Sequence, residues 1–275
     1  MFSTTARGAF GNIPTQIFNA HIEAERRGAQ QLPPSYNSGK ESTGETTLGL
    51  ELKDVVPWGR THAEYAAMFG LQSLAVGVRI LDCAGGPSSF NVEETARGGK
   101  VVSADPLYRF PPEEIQRRIE ETRAAIVAGL ETHRADYVWN DSIPTPEALG
   151  RVRMGAMRLF LDDFVHGKAE GRYVEASLPE LPFADRTFDL ALCSHFLFTY
   201  ARQFDLRFHV LAIQALCRVA KEARLFPLLA LDGAPSADLD AIVTTLNHQG
   251  FECEIRSVEY EFQRGAHQML CVHRS

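Results

Sequence analysis

From Val78 to Arg274 the chain switches repeatedly between two periods, and this alternation limits the fold more than any other feature. "VRILDC", "KVVSAD", "RYVEAS", "TFDLALCS" and "RLFPLLAL" are short apolar runs of strand length. Helical patterns separate them. "SSFNVEETARGG" is closed by Gly98 and Gly99, and "PPEEIQRRIEETRAAIVAGLETH" opens with prolines and acids. "TPEALGRVRMGAMRLFLDDFVHG" and "FDLRFHVLAIQALCRVAKEA" follow as helices, then "SADLDAIVTTLNHQG" with Gly250 as its stop. "FECEIRSVEYEF" and "HQMLCVHR", joined by "QRGA", predict a closing antiparallel hairpin. Strands that alternate with helices predict an α/β fold: a mostly parallel, Rossmann-like sheet, helices on both faces and an antiparallel edge at the C-terminal hairpin. Ligands of such sheets bind beyond the carboxyl ends of the strands, at the point where strand order reverses.

Residues 1–50 read as an N-terminal extension, with a short helix in "NAHIEAERRGAQ" and a flexible Pro/Ser/Thr/Gly-rich linker after it. Residues 51–275 form the folded domain, with a helical insert at about 111–168. Near its start, Thr61 and Glu64 make a capping-box pattern, followed by Tyr65, Met68 and Phe69 at helical spacing.

Charge and cysteines exclude several classes. A net charge of −7 gives no basic footprint for nucleic acid, so such a partner is disfavoured. No apolar run approaches the ~18 residues of a membrane span. The five cysteines are scattered without a CxxC pair, which predicts reduced, mostly buried thiols in a cytoplasmic protein and leaves no clustering for zinc.

The stretch that carries chemistry is "ILDCAGGPSSF". It runs from a strand into a helix through glycines that allow a tight turn and a close ligand. The next strand ends in Asp105, placed to accept both hydroxyls of a ribose. The turn does not fit G-x-G-x-x-G, which disfavours a nicotinamide cofactor.

These residues resemble the first motif of class I S-adenosylmethionine-dependent methyltransferases, with Asp82, Gly86 and Pro87 at the motif acid, central glycine and proline. Ala84 and Ser88 stand where glycines are usual. "LPELPFADRTFDLALCSHFL" resembles the passage leading into that superfamily's fourth strand, and "VPWGR", "LCSHFLF" and "FPLLALDG" resemble a bacterial subgroup. The resemblance, over roughly Val56 to Ser275, implies a seven-stranded sheet and S-adenosylmethionine as cofactor. It implies that Gly85, Gly86 and Pro87 hold the methionine portion, beside Ala84, and that Asp82 orients its amino group through water. Asp105 would bind the ribose, Pro106 or Leu107 would pack on adenine, and Ser177 and Leu178 would meet the adenine edge. Ser177 stands where many members carry aspartate. Ser194 and His195 would face the methyl-transfer site.

His195 is the candidate general base, since an unperturbed imidazole titrates near neutrality. Arg60 either caps a local turn or reaches the cofactor carboxylate, and Trp58 reads as a packing anchor. Asp205 and His209 read as an ordinary i,i+4 pair. The insert, with the segment from Trp58 to Phe69, is expected to roof the acceptor, favouring a small molecule over a polymer. The competing readings are a cofactor-binding regulator without catalysis and, less favoured, an RNA or protein methyltransferase.

Overall fold

The computed structural model describes residues 57–75 and 77–274, and the expected N-terminal extension lies outside them. Its strands are β1 (Arg79–Cys83), β2 (Lys100–Ala104), β3 (Tyr173–Val174), β4 (Phe188–Ser194), β5 (Ala220–Phe226), β6 (Phe251–Ser257) and β7 (Gln268–Arg274). They form one sheet in the order β3-β2-β1-β4-β5-β7-β6. Every pairing is parallel except those of β7, which is antiparallel to both β5 and β6. The seven strands, their mostly parallel pairing and the antiparallel C-terminal pair are as the sequence led one to expect.

The helices are α1 (His62–Phe69), α2 (Phe90–Ala96), α3 (Pro112–Thr132), α4 (Pro146–Ala169), α5 (Leu206–Val219) and α6 (Leu239–His248). Strand side chains alternate between faces, and this sorts the helices. Ile80 of β1 packs with Tyr65, Met68 and Phe69 of α1 and with Phe90 of α2. Leu81 and Cys83 pack instead with α5 and α6. Asp82 has the parity of Ile80, so its carboxylate enters the side covered by α1 and α2. The expected capping box starts α1: Glu64 N donates to Thr61 Oγ1 at 3.2 Å, and Thr61 N donates to Glu64 Oε2 at 2.9 Å.

The two insert helices, α3 and α4, lie between β2 and β3. The C-terminal half of α4 covers the sheet edge, where Phe160 and Phe164 pack on Tyr108 and Tyr173. Its N-terminal half leaves the sheet and, with Ile126, Leu130, Tyr137 and Leu149, builds a separate apolar cluster.

Three boundaries differ from the expectation. The helix read through Ala223 stops at Val219, and β5 takes Ala220–Phe226. Ala, Lys, Glu and Arg favour helix locally, but pairing with both β4 and β7 overrides that preference. "PLLAL" leaves the sheet after Phe226, because Pro227 has no N–H to give a ladder. "RYVEAS" contributes only Tyr173–Val174 to the sheet. "QRGA" does turn, with Ala266 N donating to Gln263 O at 2.9 Å, but the strands stop short of it: β6 ends at Ser257, and residues 258–267 form a loop that pairs with the insert. Val138 N donates to Phe262 O at 2.7 Å, and Arg264 N to Asp136 O at 2.9 Å.

Candidate functional site

β1 and β4 are the neighbours across which strand order reverses, and Cys83 of one stands beside Cys193 of the other. Both strands leave the sheet through a left-handed residue, Ala84 (φ 56°) after β1 and His195 (φ 50°) after β4. A side chain in that region costs about 1–2 kcal/mol, and such strain collects at functional sites. Ala84 thus adopts the backbone that glycine would take freely.

Between these exits lies one cavity. Of the residues expected at the site, Arg60, Ala84, Gly85, Gly86, Pro87, Asp105, Pro106, Leu107, Ser177, Leu178, Ser194 and His195 all line it. Asp82 does not. It lies beneath the turn with no exposed surface, accepting from Tyr65 OH and from Ser103 Oγ, each at 2.9 Å. In this position Asp82 braces the turn from beneath. Both its oxygens are engaged inside the protein, and burial raises its pKa to about 7.

The glycine turn is fixed from several sides. Gly86 N donates to Asp105 Oδ2 at 2.9 Å, and Tyr108 OH donates to Gly86 O at 2.8 Å. Asp105 Oδ1 accepts from Leu107 N at 2.7 Å. A Cβ on Gly85 would overlap the Asp82 carboxylate, whereas one on Gly86 would meet nothing within 4 Å. Gly59 lies so close to the turn that a Cβ there would overlap the Pro87 carbonyl. Ser89 N donates to Arg60 O at 3.0 Å, so the chain before α1 seals the turn from above. Burial lifts Asp105 to about 6 even though two backbone N–H groups favour its anion.

His195 is anchored by its own N–H to Phe226 O at 2.6 Å, and its Nδ1 lies 2.8 Å from Ser194 Oγ. The Ser194 hydroxyl donates to Met68 Sδ at 3.9 Å. Which partner donates between Ser194 and His195 follows the ring's tautomer. The expectation of a near-neutral base is corrected here. Burial, then the charges of Arg60 and Arg153, push His195 well below its ordinary value, so the ring is uncharged and a weaker base.

Arg60 Nη1 donates to Trp58 O, the turn cap foreseen as one alternative, while the side chain also lines the cavity. Trp58 packs against two apolar clusters, as an anchor does. Asp205 caps α5, its Oδ1 accepting from Phe208 N at 2.7 Å. His209 meets the carbonyls of Asp205 and Leu197 at 2.8 and 3.0 Å, so the pair is structural. All five cysteines are free, four of them buried.

Sequence reasoning missed Tyr65, Arg153, Tyr260, Phe262 and Gln263, which also line the cavity. One signal was present for Arg153. It interrupts the stripe of Leu149, Ala156, Met157 and Phe160 on a helix, where an apolar residue belongs unless a partner waits. Nothing local marks Tyr260, because the loop between β6 and β7 reaches the cavity only through its pairing with the insert.

Sheet order, glycine turn and strand-end acid together define a doubly wound sheet with a cavity at its switch point. The chain is 31% identical over 226 residues to the uncharacterized protein MJ0045 of Methanocaldococcus jannaschii, an alignment covering 82% of this chain and 99% of that protein, and it belongs to that protein's family. No family model matches it. Solved structures similar to it include a TehB-like SAM-dependent methyltransferase from Corynebacterium glutamicum, at 14% identity, with 81% of this chain and 89% of that one covered and a TM-score of 0.41. Another is the magnesium protoporphyrin IX methyltransferase (ChlM) from Synechocystis PCC 6803 with bound SAM, at 13% identity, 78% and 80% coverage and a TM-score of 0.38. Among the described residues, no helix is long and apolar enough to cross a membrane.

Proposed function

We propose that this protein is an S-adenosylmethionine-dependent methyltransferase whose acceptor is a small molecule. The observation that carries the reading is the joint fixing of Gly86 and Asp105 at the switch point, with open space above Gly86. A turn that admits no Cβ at Gly85, an acid held ready at a strand end and a cation at Arg60 match an amino-acid moiety joined to a ribose. In this reading Gly85, Gly86 and Pro87 hold the methionine portion, Arg60 takes its carboxylate and Asp105 accepts from the ribose hydroxyls. Leu107 and Leu178 flank the base, and Ser177 meets its edge.

When bound, the cofactor supplies a methyl group already activated on a sulfonium. The protein's part is to align the acceptor and exclude water. The roof does the second: Leu130 of α3, Leu149 of α4, Tyr137 and the Phe262 loop close over the cavity. The His195 imidazole is the group on the wall that can take a proton from a hydroxyl or amine acceptor. Its weakened basicity suits an acceptor that gives up its proton easily or has none to lose. That same weakness is what favours the second reading, a cofactor-binding regulator without catalysis.

Calorimetry with S-adenosylmethionine and S-adenosylhomocysteine tests the cofactor. Asp105→Asn should weaken both by about tenfold or more, the loss expected for a charged hydrogen-bond acceptor. Absent binding by the parent, or an Asp105→Asn protein that binds as tightly, would remove the basis of the reading. Detection of methylated products by mass across an acceptor panel separates enzyme from regulator.

A further inference from the structure

The cavity wall holds a cation that the cofactor reading does not use. Arg153, on the N-terminal half of α4, is 1% exposed yet lines the cavity. Its Nη1 donates to Glu64 Oε2, and Tyr260 OH donates to Glu64 Oε1 at 3.0 Å. Its Nε is shut off from water and has no hydrogen-bond partner among the described residues, as is Nε of Arg60. A native protein seldom leaves a buried guanidinium donor unpaired, since a buried donor without a partner has lost its water and gained nothing in return.

The charges around the cavity point the same way. Arg60 and Arg153 face one close carboxylate, Glu64, which Arg153 and Arg60 hold ionised against the pull of burial, with a pKa of about 2. Asp105, the carboxylate on the wall, draws no lowering from either arginine. Tyr65, Tyr260 and His195 are uncharged at neutral pH. Arg60, Arg153 and Asp105 line the cavity, and Glu64, paired with Arg153 outside the lining, brings the four charges into balance. S-adenosylmethionine itself carries one net positive charge, from its sulfonium, ammonium and carboxylate. One negative charge on the second ligand restores the balance. Beside Arg153 the wall is apolar, made by Ile126, Leu130, Leu149, Tyr137 and Phe262.

We propose that Arg153 forms an anion-binding subsite, and that the acceptor is a small molecule with an apolar body and a carboxylate seated on Arg153. The word acceptor and the charge count rest on the methyltransferase reading; the anion subsite itself rests on the buried Arg153 guanidinium at the cavity wall. Arg153 is a positioning residue for the acceptor: it sets where the apolar body lies and supplies no proton.

The test uses matched probes, phenylacetate and decanoate against phenylacetamide and decanamide. Their binding to the full chain is measured by calorimetry and ligand-detected NMR, with and without saturating S-adenosylhomocysteine. At least one carboxylate should bind about tenfold or more tightly than its amide. Arg153→Gln should bring that ratio close to one, and Arg153→Lys should keep part of it. Affinity for S-adenosylhomocysteine should stay near the parental value in both. Because Arg153→Gln strands Glu64, the double variant Glu64→Gln/Arg153→Gln, checked by thermal melting, serves if the single one does not fold. Equal binding of acid and amide by the parent, no saturable carboxylate binding at millimolar concentration, or a ratio that survives loss of the arginine would each overturn the proposal. If S-adenosylhomocysteine fails to bind while the carboxylate ratio depends on Arg153, the cofactor reading falls and the subsite stands.

Discussion

Asp82 offers the sharpest test of how the site is built. It is wholly enclosed, holds Tyr65 and Ser103 in place, and lies against the turn that shapes the cavity. Burial raises its pKa from 3.8 to about 7, outweighing the two hydroxyl donors that favour its anion. In the unfolded chain the same carboxyl ionises near 3.8. Between about pH 4 and pH 7 the folded state therefore keeps a proton that the unfolded state has lost. Folding stability contributed by this group is full below pH 4, declines as pH rises and levels off above 7. The whole span corresponds to roughly 4 kcal/mol, and the part between pH 5 and pH 7 to about 2–3 kcal/mol.

Asp82→Asn removes the titration while keeping the shape. One of the two hydroxyls must turn to meet the new amide, which shifts stability by an amount independent of pH. Asp105 and His195 titrate in both proteins and drop out of the difference, apart from the small repulsion between Asp105 and Asp82. Urea unfolding of parent and variant at pH 5, 6, 7 and 8, compared at constant m, gives that difference directly. The parent's advantage over Asp82→Asn should shrink by about 2–3 kcal/mol from pH 5 to pH 7. A difference that is flat, or that grows with pH, would mean the carboxylate is ionised in the fold, and the raised pKa assigned to it would be wrong.

Gly59→Ala should cost about 2 kcal/mol or more in chemical denaturation, because its Cβ meets backbone that cannot move. Gly86→Ala, which meets only open space at φ 54°, should cost about 1–2 kcal/mol. If His195 accepts a proton, the acid limb of kcat/KM lies well below pH 6.5 and vanishes in His195→Asn, because the folded imidazole resists protonation. Of the five thiols, only Cys253 should react quickly with an aromatic disulfide reagent in the native protein; burial pushes Cys83, Cys193, Cys217 and Cys271 up and closes off access.

The fold and half of the site were legible in the order of residues, and the reason is range. A glycine turn, a capping box at Thr61 and Glu64, and a strand ending in Asp105 are each specified within a few residues. Alternating periods then dictate a doubly wound sheet, and such a sheet brings the ends of β1, β2 and β4 together. Where neighbours distant in sequence decided the outcome, local reading failed. Ala220–Arg224 became strand because β4 and β7 flank it. Asp82 came to lie beneath the cavity wall, braced by Tyr65, because α1 delivers that tyrosine to it. His195 lost basicity to desolvation and to two arginines, one brought in by the insert. Tyr260 and Phe262 reached the cavity because the β6–β7 loop pairs with the chain between α3 and α4. Periodicity and turn chemistry are written into neighbouring residues, whereas burial and electrostatic potential depend on which segments the finished fold brings together.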